Sequence, residues 1–183
     1  MWLFAVLFLP IVQASYPLRA VSNAVSGPVR GLLTVQCRYD PGWETYKKWW
    51  CRGAEWSDCH ILVTTNGSEE EAKNNHVSIK DNQKQFTFIV TMEELRWNYE
   101  DTYWCGIERY GTDLGVSVKV TIDPVTMQCH YGPRWETYVE SWCEDADSNG
   151  CNILVETPGL ALKKNRVSIN QKKHTFSMTI WGE

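Results

Sequence analysis

The sequence lacks any apolar run of about 18 residues after its first dozen positions, so it shows no segment that could cross a bilayer as a helix. It also lacks runs of one charge, because 22 acidic and 18 basic residues are interspersed and give a net charge of −4. Nucleic acid is therefore not an expected partner. Histidine is scarce, and none of the four lies in a recognisable catalytic motif. The sequence therefore does not indicate an enzyme.

Residues 1–15 are predicted to be a secretory signal peptide. Residues 3–12 are almost all apolar, and Val12-Gln-Ala14 supplies modest and small side chains where signal peptidase cleaves. The chain is therefore expected to enter the secretory pathway. It would be secreted as given, or displayed at the cell surface in a longer form that has a membrane anchor.

The stretch Asp101-Thr-Tyr-Trp-Cys105 is the strongest indicator of the fold. Cys37 lies 68 residues before Cys105, and Trp50 lies 13 residues after Cys37. This spacing is typical of the inter-sheet disulfide, core tryptophan and tyrosine corner of an immunoglobulin sandwich. We therefore predict an all-β, V-type sandwich over residues 16–123, with Cys37 bonded to Cys105 and Trp50 in the core.

Alternating apolar and polar residues predict the strands of this sandwich. Strands B (Leu33–Cys37) and G (Val116–Ile122) have the period of two that a half-buried strand requires. On strand F, Tyr103 is expected to point into the core and Trp104 outward. The edge strand expected within residues 16–31 should be interrupted by Gly27-Pro28.

Cys51 and Cys59 are predicted to form an additional disulfide. If Trp50 points inward, Cys51 faces outward, because successive side chains of a strand alternate. Cys51 can then reach Cys59 across the hairpin between strands C (residues 45–52) and C′ (residues 60–64). Such a bond would stabilise the hairpin by about 2.5 kcal/mol. A zinc site is excluded by the cysteine spacing and the oxidising route.

Asn66-Gly-Ser68 is the one N-glycosylation acceptor sequence in the chain, and it falls in a predicted surface turn. Asn66 is therefore the expected glycosylation site.

The second half of the chain repeats the first, which indicates a tandem duplication. Trp135-Glu-Thr-Tyr138 copies Trp43-Glu-Thr-Tyr46, and strands D and E should recur at an offset of 90 residues. Cysteine spacings of 14 and 8 residues recur at an offset of 92; the two sets are Cys37, Cys51 and Cys59, and Cys129, Cys143 and Cys151.

Residues 124–183 are therefore predicted to be an incomplete second V-type unit. Equivalents of strands A, F and G are missing from the sequence as given. Cys143 and Cys151 should form the hairpin disulfide, whereas Cys129 should be unpaired. We interpret the second unit as part of a truncated product or fragment, and a small appendage packed on the first domain is the alternative.

Several segments together resemble one receptor family; they are the cysteine quartet of the first unit, Lys48–Gly53, Val77–Asn82, Asp101–Ile107 and Asp113–Val116. They resemble the V-type domain of the leukocyte mono-immunoglobulin-like receptors, the CMRF-like molecules, which are relatives of the polymeric immunoglobulin receptor. The resemblance covers about residues 18–123, and the second copy matches over residues 125–183. It implies the ectodomain of a leukocyte surface receptor that regulates immune signalling.

The resemblance also implies that an extracellular ligand binds the loops after strands B, C′ and F. These loops are residues 40–45, 65–68 and 108–114, and the candidate ligand residues are Asp40, Trp43, Glu44, Arg109, Tyr110 and Asp113. Trp43 has the alternative role of covering the end of the core.

The expected ligand is a membrane lipid or a protein, including immunoglobulin. A lipid would use the loops, where Asp40 or Asp113 could hold a calcium ion; no other cofactor or metal is expected. An antibody-binding or adhesion module would instead use the loop edges or the outward face that carries Trp49 and Trp104. Adaptor or tail signalling is expected only in a longer form with a transmembrane segment.

His76 departs from the pattern of the family, which commonly has arginine at this position paired with the aspartate of Asp-x-Tyr-x-Cys. We hypothesise that His76 pairs with Asp101 at the edge of the core. Protonation of His76 would strengthen this pair, so the domain would be more stable at mildly acidic pH.

Overall fold

The computed structural model describes residues 16–132, 134, 141–147, 150–156, 160–161, 167–172 and 175–180, so the predicted signal peptide at residues 1–15 lies outside the described residues. Ten strands between Leu18 and Asp123 build the first unit. Their bounds are β1 Leu18–Ala20, β2 Ala24–Pro28, β3 Leu33–Tyr39, β4 Lys48–Arg52, β5 His60–Thr64, β6 Ala72–Asn74, β7 Val77–Asn82, β8 Thr87–Met92, β9 Asp101–Ile107 and β10 Leu114–Asp123. Short 3₁₀ turns lie at Trp56–Asp58, Gln83–Gln85 and Trp97–Tyr99.

The ten strands form two five-stranded sheets that pack face to face. The first sheet has the order β1-β3-β8-β7-β6, and the second has the order β2-β10-β9-β4-β5. Strands β3, β4 and β5 correspond to the predicted strands B, C and C′, and β7 to β10 correspond to D to G. The prediction of an all-β, V-type sandwich is confirmed.

The core between the sheets is centred on the disulfide between Cys37 of β3 and Cys105 of β9. Trp50 is fully buried beside it and stacks on Tyr103, with ring centroids 5.1 Å apart. The hydroxyl of Tyr103 donates to the carbonyl of Tyr99 at 2.9 Å, which is the tyrosine corner expected from the sequence. Leu95 closes the core from the turn before β9 and is also fully buried.

The second predicted disulfide is also present, between Cys51 and Cys59. It joins the penultimate residue of β4 to the residue directly before β5, and a register shift lies between Trp50 and Cys51. This shift is a local bulge of the kind that increases twist in a hairpin.

The N-terminal edge differs from the prediction. The break falls at residues 21–23, where the chain leaves the first sheet after β1 and joins the second as β2. Gly27 and Pro28 do not interrupt a strand, because they are the last residues of β2 and pair with Ile122 and Asp123 of β10. β2 lies at the sheet edge, where a proline without an N–H group is tolerated.

Six further strands follow Asp123 in the described part of the chain. They are β11 Val125–His130, β12 Ser141–Asp147, β13 Gly150–Glu156, β14 Leu160–Ala161, β15 Val167–Lys172 and β16 Thr175–Ile180. They form two three-stranded sheets, β11-β16-β15 and β12-β13-β14. Among the described residues, no helix is long and apolar enough to span a membrane.

The pairing of β11, β16 and β15 reproduces that of β3, β8 and β7 in the first unit. Cys129 pairs with Phe176 as Cys37 pairs with Phe88. The offset between the two copies of strand E is therefore 88 residues, so the predicted offset of 90 is wrong for this strand. The cause is the segment before it, which has four residues between β7 and β8 but two between β15 and β16.

The cysteines of the second copy are placed on these strands. Cys129 is a free and exposed thiol. Cys143 and Cys151 lie on the paired strands β12 and β13, but their side chains are outside the described part of the structure, so their disulfide stays a prediction.

Removal of either disulfide of the first unit is expected to lower the free energy of unfolding by an amount that follows the length of the closed loop. The Cys37–Cys105 bond closes 68 residues and the Cys51–Cys59 bond closes 8. Loop entropy then predicts losses of about 4 and about 2.5 kcal/mol. Urea unfolding of the Cys37→Ala/Cys105→Ala and Cys51→Ala/Cys59→Ala variants measures both, and a larger loss for the second pair would contradict the assignment of the first as the core cross-link.

Candidate functional site

Two loops lie side by side at one end of the second sheet, with a groove between them. Lys48 begins β4 and pairs with Ile107, which ends β9. The loop that enters β4 therefore lies beside the loop that leaves β9, and the amide of Glu108 donates to the carbonyl of Lys47 at 3.0 Å. We call this feature the loop groove; its lining residues are Tyr46, Lys47, Glu108, Arg109, Tyr110 and Gly111.

The loop groove combines basic and aromatic side chains. Tyr110 projects entirely into solvent, with a relative exposure of 105%, and Tyr46 is also exposed. Lys47 and Glu108 form a half-exposed ion pair at 3.1 Å across the groove. Arg109 is exposed beside them, so the groove has one cation more than anions.

The turn from Arg109 to Asp113 is held in place by its own hydrogen bonds. The amide of Arg109 donates to one carboxylate oxygen of Asp113 at 3.1 Å, and the other oxygen accepts from the indole N–H of Trp49 at the same distance. The guanidinium of Arg109 donates to the carbonyl of Thr112. Gly111 has φ of 88°, a conformation that favours glycine. Asp113 thus fixes the turn beneath the groove.

Lys48 anchors the other loop from inside the core. Its side chain is fully buried, and its ammonium group donates to three acceptors: the carbonyl of Glu44 at 2.8 Å, the carbonyl of Tyr46 at 2.7 Å and the carboxylate of Asp81 at 2.7 Å. The same ammonium group lies over the ring of Tyr39, 4.6 Å from its centroid. Every N–H of the ammonium group is therefore paired, as a buried charge requires.

The buried pair is completed by Tyr39. Its hydroxyl donates to the second oxygen of Asp81 at 2.9 Å. Burial, reinforced by this hydrogen bond, raises the pKa of Tyr39 well above its ordinary value, so Tyr39 stays a donor. Burial also raises the pKa of Asp81 and lowers that of Lys48, while their attraction opposes both shifts.

A third loop, residues 65–68, packs against the loop that enters β4. Thr65 exchanges hydrogen bonds with Lys48: its amide donates to the carbonyl of Lys48 at 2.8 Å, and its hydroxyl accepts from the amide of Lys48 at 2.9 Å. The amide group of Gln83 donates to the carbonyls of Glu44 and Gly67 at 2.9 and 3.0 Å. The two loops are therefore joined by buried and half-buried polar contacts.

The structure separates the six predicted ligand residues into two groups. Arg109 and Tyr110 line the loop groove, and Asp113 lies directly behind it. Asp40 is paired with Arg19 at 3.1 Å and does not line the groove. No three His, Cys, Asp or Glu side chains among the described residues are grouped so as to hold a metal ion.

Trp43 and Glu44 have structural contacts. Trp43 is half-buried against the core and lies edge-on to Tyr46, with ring centroids 4.9 Å apart, which supports its role as a cover for the end of the core. The carboxylate of Glu44 accepts from the amide of Gly42 at 2.8 Å and so closes the preceding turn.

The outward face of the second sheet is covered by a layer of three indoles. Trp56 lies between Trp49 and Trp104, with ring centroids 5.4 and 5.3 Å away. Trp49 packs over Gly106 and is only 5% exposed, and Trp56 packs over Gly115. Sequence reasoning identified Trp49 and Trp104 but missed Trp56, whose one signal is its position between Cys51 and Cys59.

The opposite end of the domain corrects the prediction for His76. Asp101 does not pair with His76; one of its oxygens accepts from Nε of Arg52 at 2.8 Å. His76 is half-buried and lies 3.7 Å from Glu94 instead. Arg52 lies on β4 and pairs with Tyr103 of β9, two residues after Asp101 on the same strand. Its long side chain therefore reaches the carboxylate of Asp101 from the neighbouring strand. His76 is therefore not a core residue, and the predicted acid-strengthened pair is wrong.

The match to a domain family fits this geometry. The family model described as "Immunoglobulin V-set domain" matches residues 21–123. The chain belongs to the immunoglobulin V-set family. The matched region contains the two disulfides of the first unit, the loop groove and the Lys48 network.

The relatives of this V-set chain are CMRF35-like molecules, so the resemblance predicted from the sequence is confirmed. Human CMRF35-like molecule 1 is 68% identical over 102 residues, which are 56% of this chain and 35% of that protein. Human CMRF35-like molecule 7 is 54% identical over 124 residues, which are 68% of this chain and 61% of that protein. The chain thus spans between about one third and two thirds of the length of these curated relatives.

One solved structure resembles the V-set domain in both fold and sequence. It is the NK cell receptor NKp44, described as a triggering partner in natural cytotoxicity, with a TM-score of 0.52 and 29% identity. The match covers 56% of this chain and 98% of that chain.

Replacement of Lys48 by methionine is expected to destabilise the V-set domain by about 3–5 kcal/mol, because the variant leaves the carboxylate of Asp81 buried without its cation. Urea unfolding at neutral pH measures this loss. The matched control is Lys47→Met in the adjacent position, where an exposed ion pair should cost about 1 kcal/mol or less. Equal losses in the two variants would contradict the assigned role of Lys48.

The defect of Lys48→Met should also depend on pH. Without the ammonium group, the pKa of Asp81 in the folded state rises further above its unfolded value. The folded state then binds a proton more tightly than the unfolded state, so stability recovers as pH falls. Unfolding free energies of this variant should therefore approach those of the unaltered chain as the pH is lowered from neutral towards the ordinary pKa of aspartate, about 3.9, and a constant deficit would argue against a buried carboxylate.

The Arg52–Asp101 pair should give the opposite dependence. The hydrogen bond from Arg52 lowers the pKa of Asp101. The stability that this pair gives the folded state is therefore present above the ordinary pKa of aspartate, about 3.9, and is lost as the pH falls below it. The stability difference between the unaltered chain and Asp101→Asn should therefore shrink below about pH 4. A difference that does not change with pH across this range would contradict the assigned pair of Arg52 and Asp101.

Proposed function

We propose that residues 16–123 are the ligand-binding domain of a leukocyte cell-surface receptor and that the loop groove holds the head group of a membrane phospholipid. The observation that carries this proposal is the fully exposed Tyr110 beside the cations Arg109 and Lys47, on a loop whose base is fixed. An exposed aromatic side chain next to cations on a rigid turn suits contact with a membrane interface.

The chemistry of the groove matches that of a phospholipid head group. Arg109 and Lys47 can donate to phosphate oxygens, with the guanidinium suited to two-point contact and the ammonium acting as a compact charge. Glu108 offers a carboxylate to the ammonium group of an amine-bearing lipid. Tyr110, next to them, has an apolar ring for the acyl-glycerol boundary and a polar hydroxyl for water.

The hydrogen bonds that fix both walls of the groove support its role as a ligand-binding site. One wall is held by Asp113 and Trp49, and the other by the ammonium group of Lys48. Loops fixed before binding lose little conformational entropy when the ligand arrives. The groove thus has the properties of a prearranged site on a rigid frame.

Membership of the V-set family and the similarity to CMRF35-like molecules support the receptor part of the proposal. The family comprises binding domains rather than enzymes, and we propose that this chain has no catalytic activity. Cell-surface display of this chain and its role in immune regulation belong to the same proposal.

The alternative of an antibody-binding or adhesion module has less support from the side chains that are accessible. Trp49, which this reading needs at the surface, is buried beneath Trp56. Ile61 is the one large apolar side chain of this face, within the described residues, that is more than half exposed. The loop groove is therefore the better candidate.

Flotation with phospholipid vesicles tests the proposal. The full chain should float with vesicles that contain an anionic phospholipid, and Arg109→Ala should weaken binding by about tenfold, as loss of a hydrogen bond to a charged group implies. Tyr110→Ala should also weaken it, whereas Ile61→Ala on the outward face should bind normally.

Two further measurements separate the alternatives. Repetition in the presence of a chelator distinguishes direct contact with phosphate from contact bridged by calcium. Retention on immobilised immunoglobulin without flotation, and its loss in Ile61→Ala, would contradict the lipid proposal and support the adhesion surface.

A further inference from the structure

Asn66 occupies an exposed turn directly after β5, in a conformation set by its own side chain. The side-chain oxygen of Asn66 accepts from the amide of Ser68 at 3.0 Å and from its hydroxyl at 2.7 Å. This is an Asx-turn, the local arrangement that asparagine favours. The side-chain nitrogen faces the surface and has one long contact of 3.3 Å with the exposed carboxylate of Glu70. The acceptor nitrogen is therefore accessible, and the serine hydroxyl of the acceptor sequence adjoins the amide group to be modified.

We propose that Asn66 carries an N-linked glycan and that this glycan restricts the loop end to ligands small enough to enter the loop groove. In the modification, the side-chain nitrogen of Asn66 bonds to the anomeric carbon of a lipid-diphosphate-linked oligosaccharide. The bond from that carbon to the diphosphate breaks, the lipid diphosphate leaves, and the amide loses one proton to the transferase. The second part of the proposal rests on the function proposed above.

The order of the strands places Asn66 on the far side of the β4 loop from the β9 loop. β9, β4 and β5 are consecutive in the second sheet, so their loops stand in a row at the same end. The loop groove lies between the loops of β9 and β4, whereas Asn66 lies on the loop of β5. Residues 46–47 therefore stand between the groove and the glycan, which leaves the groove open from the side of β9.

The loop that carries Asn66 cannot move away freely. Gly67 has φ of 89°, and a Cβ at this position would lie 2.4 Å from the carbonyl oxygen of Thr45. The loop therefore packs backbone to backbone against the loop that enters β4, and Gln83 bridges both. The point of attachment of a glycan on Asn66 is accordingly fixed next to the loop that enters β4.

The spacing of the strands determines which ligands the glycan would exclude. β9 and β5 are two strand positions apart, or about 10 Å. A standard protein interface buries about 800 Å² on each partner, a patch about 30 Å across, so a protein centred on the groove would also cover Asn66. A phospholipid head group in the groove would not. The glycan would thus favour the lipid over a protein partner at the same loops.

The first experiment tests modification of the full chain secreted from mammalian cells. The intact mass should exceed the polypeptide mass by one glycan, and peptide N-glycosidase should remove the excess. Asn66→Gln and Ser68→Ala should both lack it, while Ser68→Thr retains the acceptor sequence and should keep it. An unaltered chain without the added mass would overturn the proposal.

The second experiment tests the selective effect. Antibody fragments selected against the secreted Asn66→Gln protein, and shown to need Tyr110, serve as protein-sized probes of the loop end. They should bind the glycosylated chain at least about tenfold more weakly than Asn66→Gln, a difference of ~1.4 kcal/mol. Vesicle binding should be the same for both proteins. Equal antibody binding, or vesicle binding only after loss of the glycan, would overturn the selective role.

The two proposals fail separately. Absence of vesicle binding in the glycosylated chain and in Asn66→Gln alike would refute the lipid function, while the mass measurement and the antibody comparison would still decide whether Asn66 is modified and shields the loop end.

Discussion

Lys48 donates from inside the core to two backbone carbonyls of the loop that precedes it, at Glu44 and Tyr46, and to the carboxylate of Asp81. Burial of these two charges costs several kcal/mol for each ion, and their attraction in a low-dielectric interior offsets this cost only where all other hydrogen bonds are made. A pair of well-packed apolar side chains would give comparable stability. What apolar side chains would not provide is a fixed position for residues 44–46. We therefore assign the pair a role in the shape of the loop end more than in the stability of the sandwich.

The same logic applies on the other side of the groove, where an aromatic layer replaces the ion pair. Trp49 follows Lys48 in β4 and points to the opposite face, so one strand controls both walls: Lys48 from within the core and Trp49 from outside. The indole N–H of Trp49 fixes Asp113, and Asp113 fixes the amide of Arg109. A displacement of β4 would therefore alter both walls together, so the shape of the groove depends on the position of this strand.

Sequence reasoning succeeded where the signal is local and failed where several elements meet. The Cys37, Trp50 and Cys105 spacing predicted the core, because a disulfide and an indole between two sheets constrain sequence separation. The buried state of Lys48 gave no such signal, since its partner is 33 residues away on a strand of the other sheet. The His76–Asp101 hypothesis relied on a sequence position and ignored Arg52, which reaches the same carboxylate from a neighbouring strand. The loops themselves were predicted, but their relative order in space required the sheet register.

The duplication within the chain provides an internal comparison for the role of Lys48. The second copy keeps the cysteine spacing and Trp142 at the position of Trp50, and the pairing of Cys129 with Phe176 repeats that of Cys37 with Phe88. Gln171 pairs with Phe176 as Asp81 pairs with Phe88, so glutamine replaces the buried aspartate in the register, and the sequence has Glu140 where the first unit has Lys48. The framework of strands is therefore specified without the ion pair. Since a segment two residues shorter between these strands also leaves the strand register intact, the alternation of side chains sets the register. The ion pair then distinguishes the first unit, at the end where its loops form a groove.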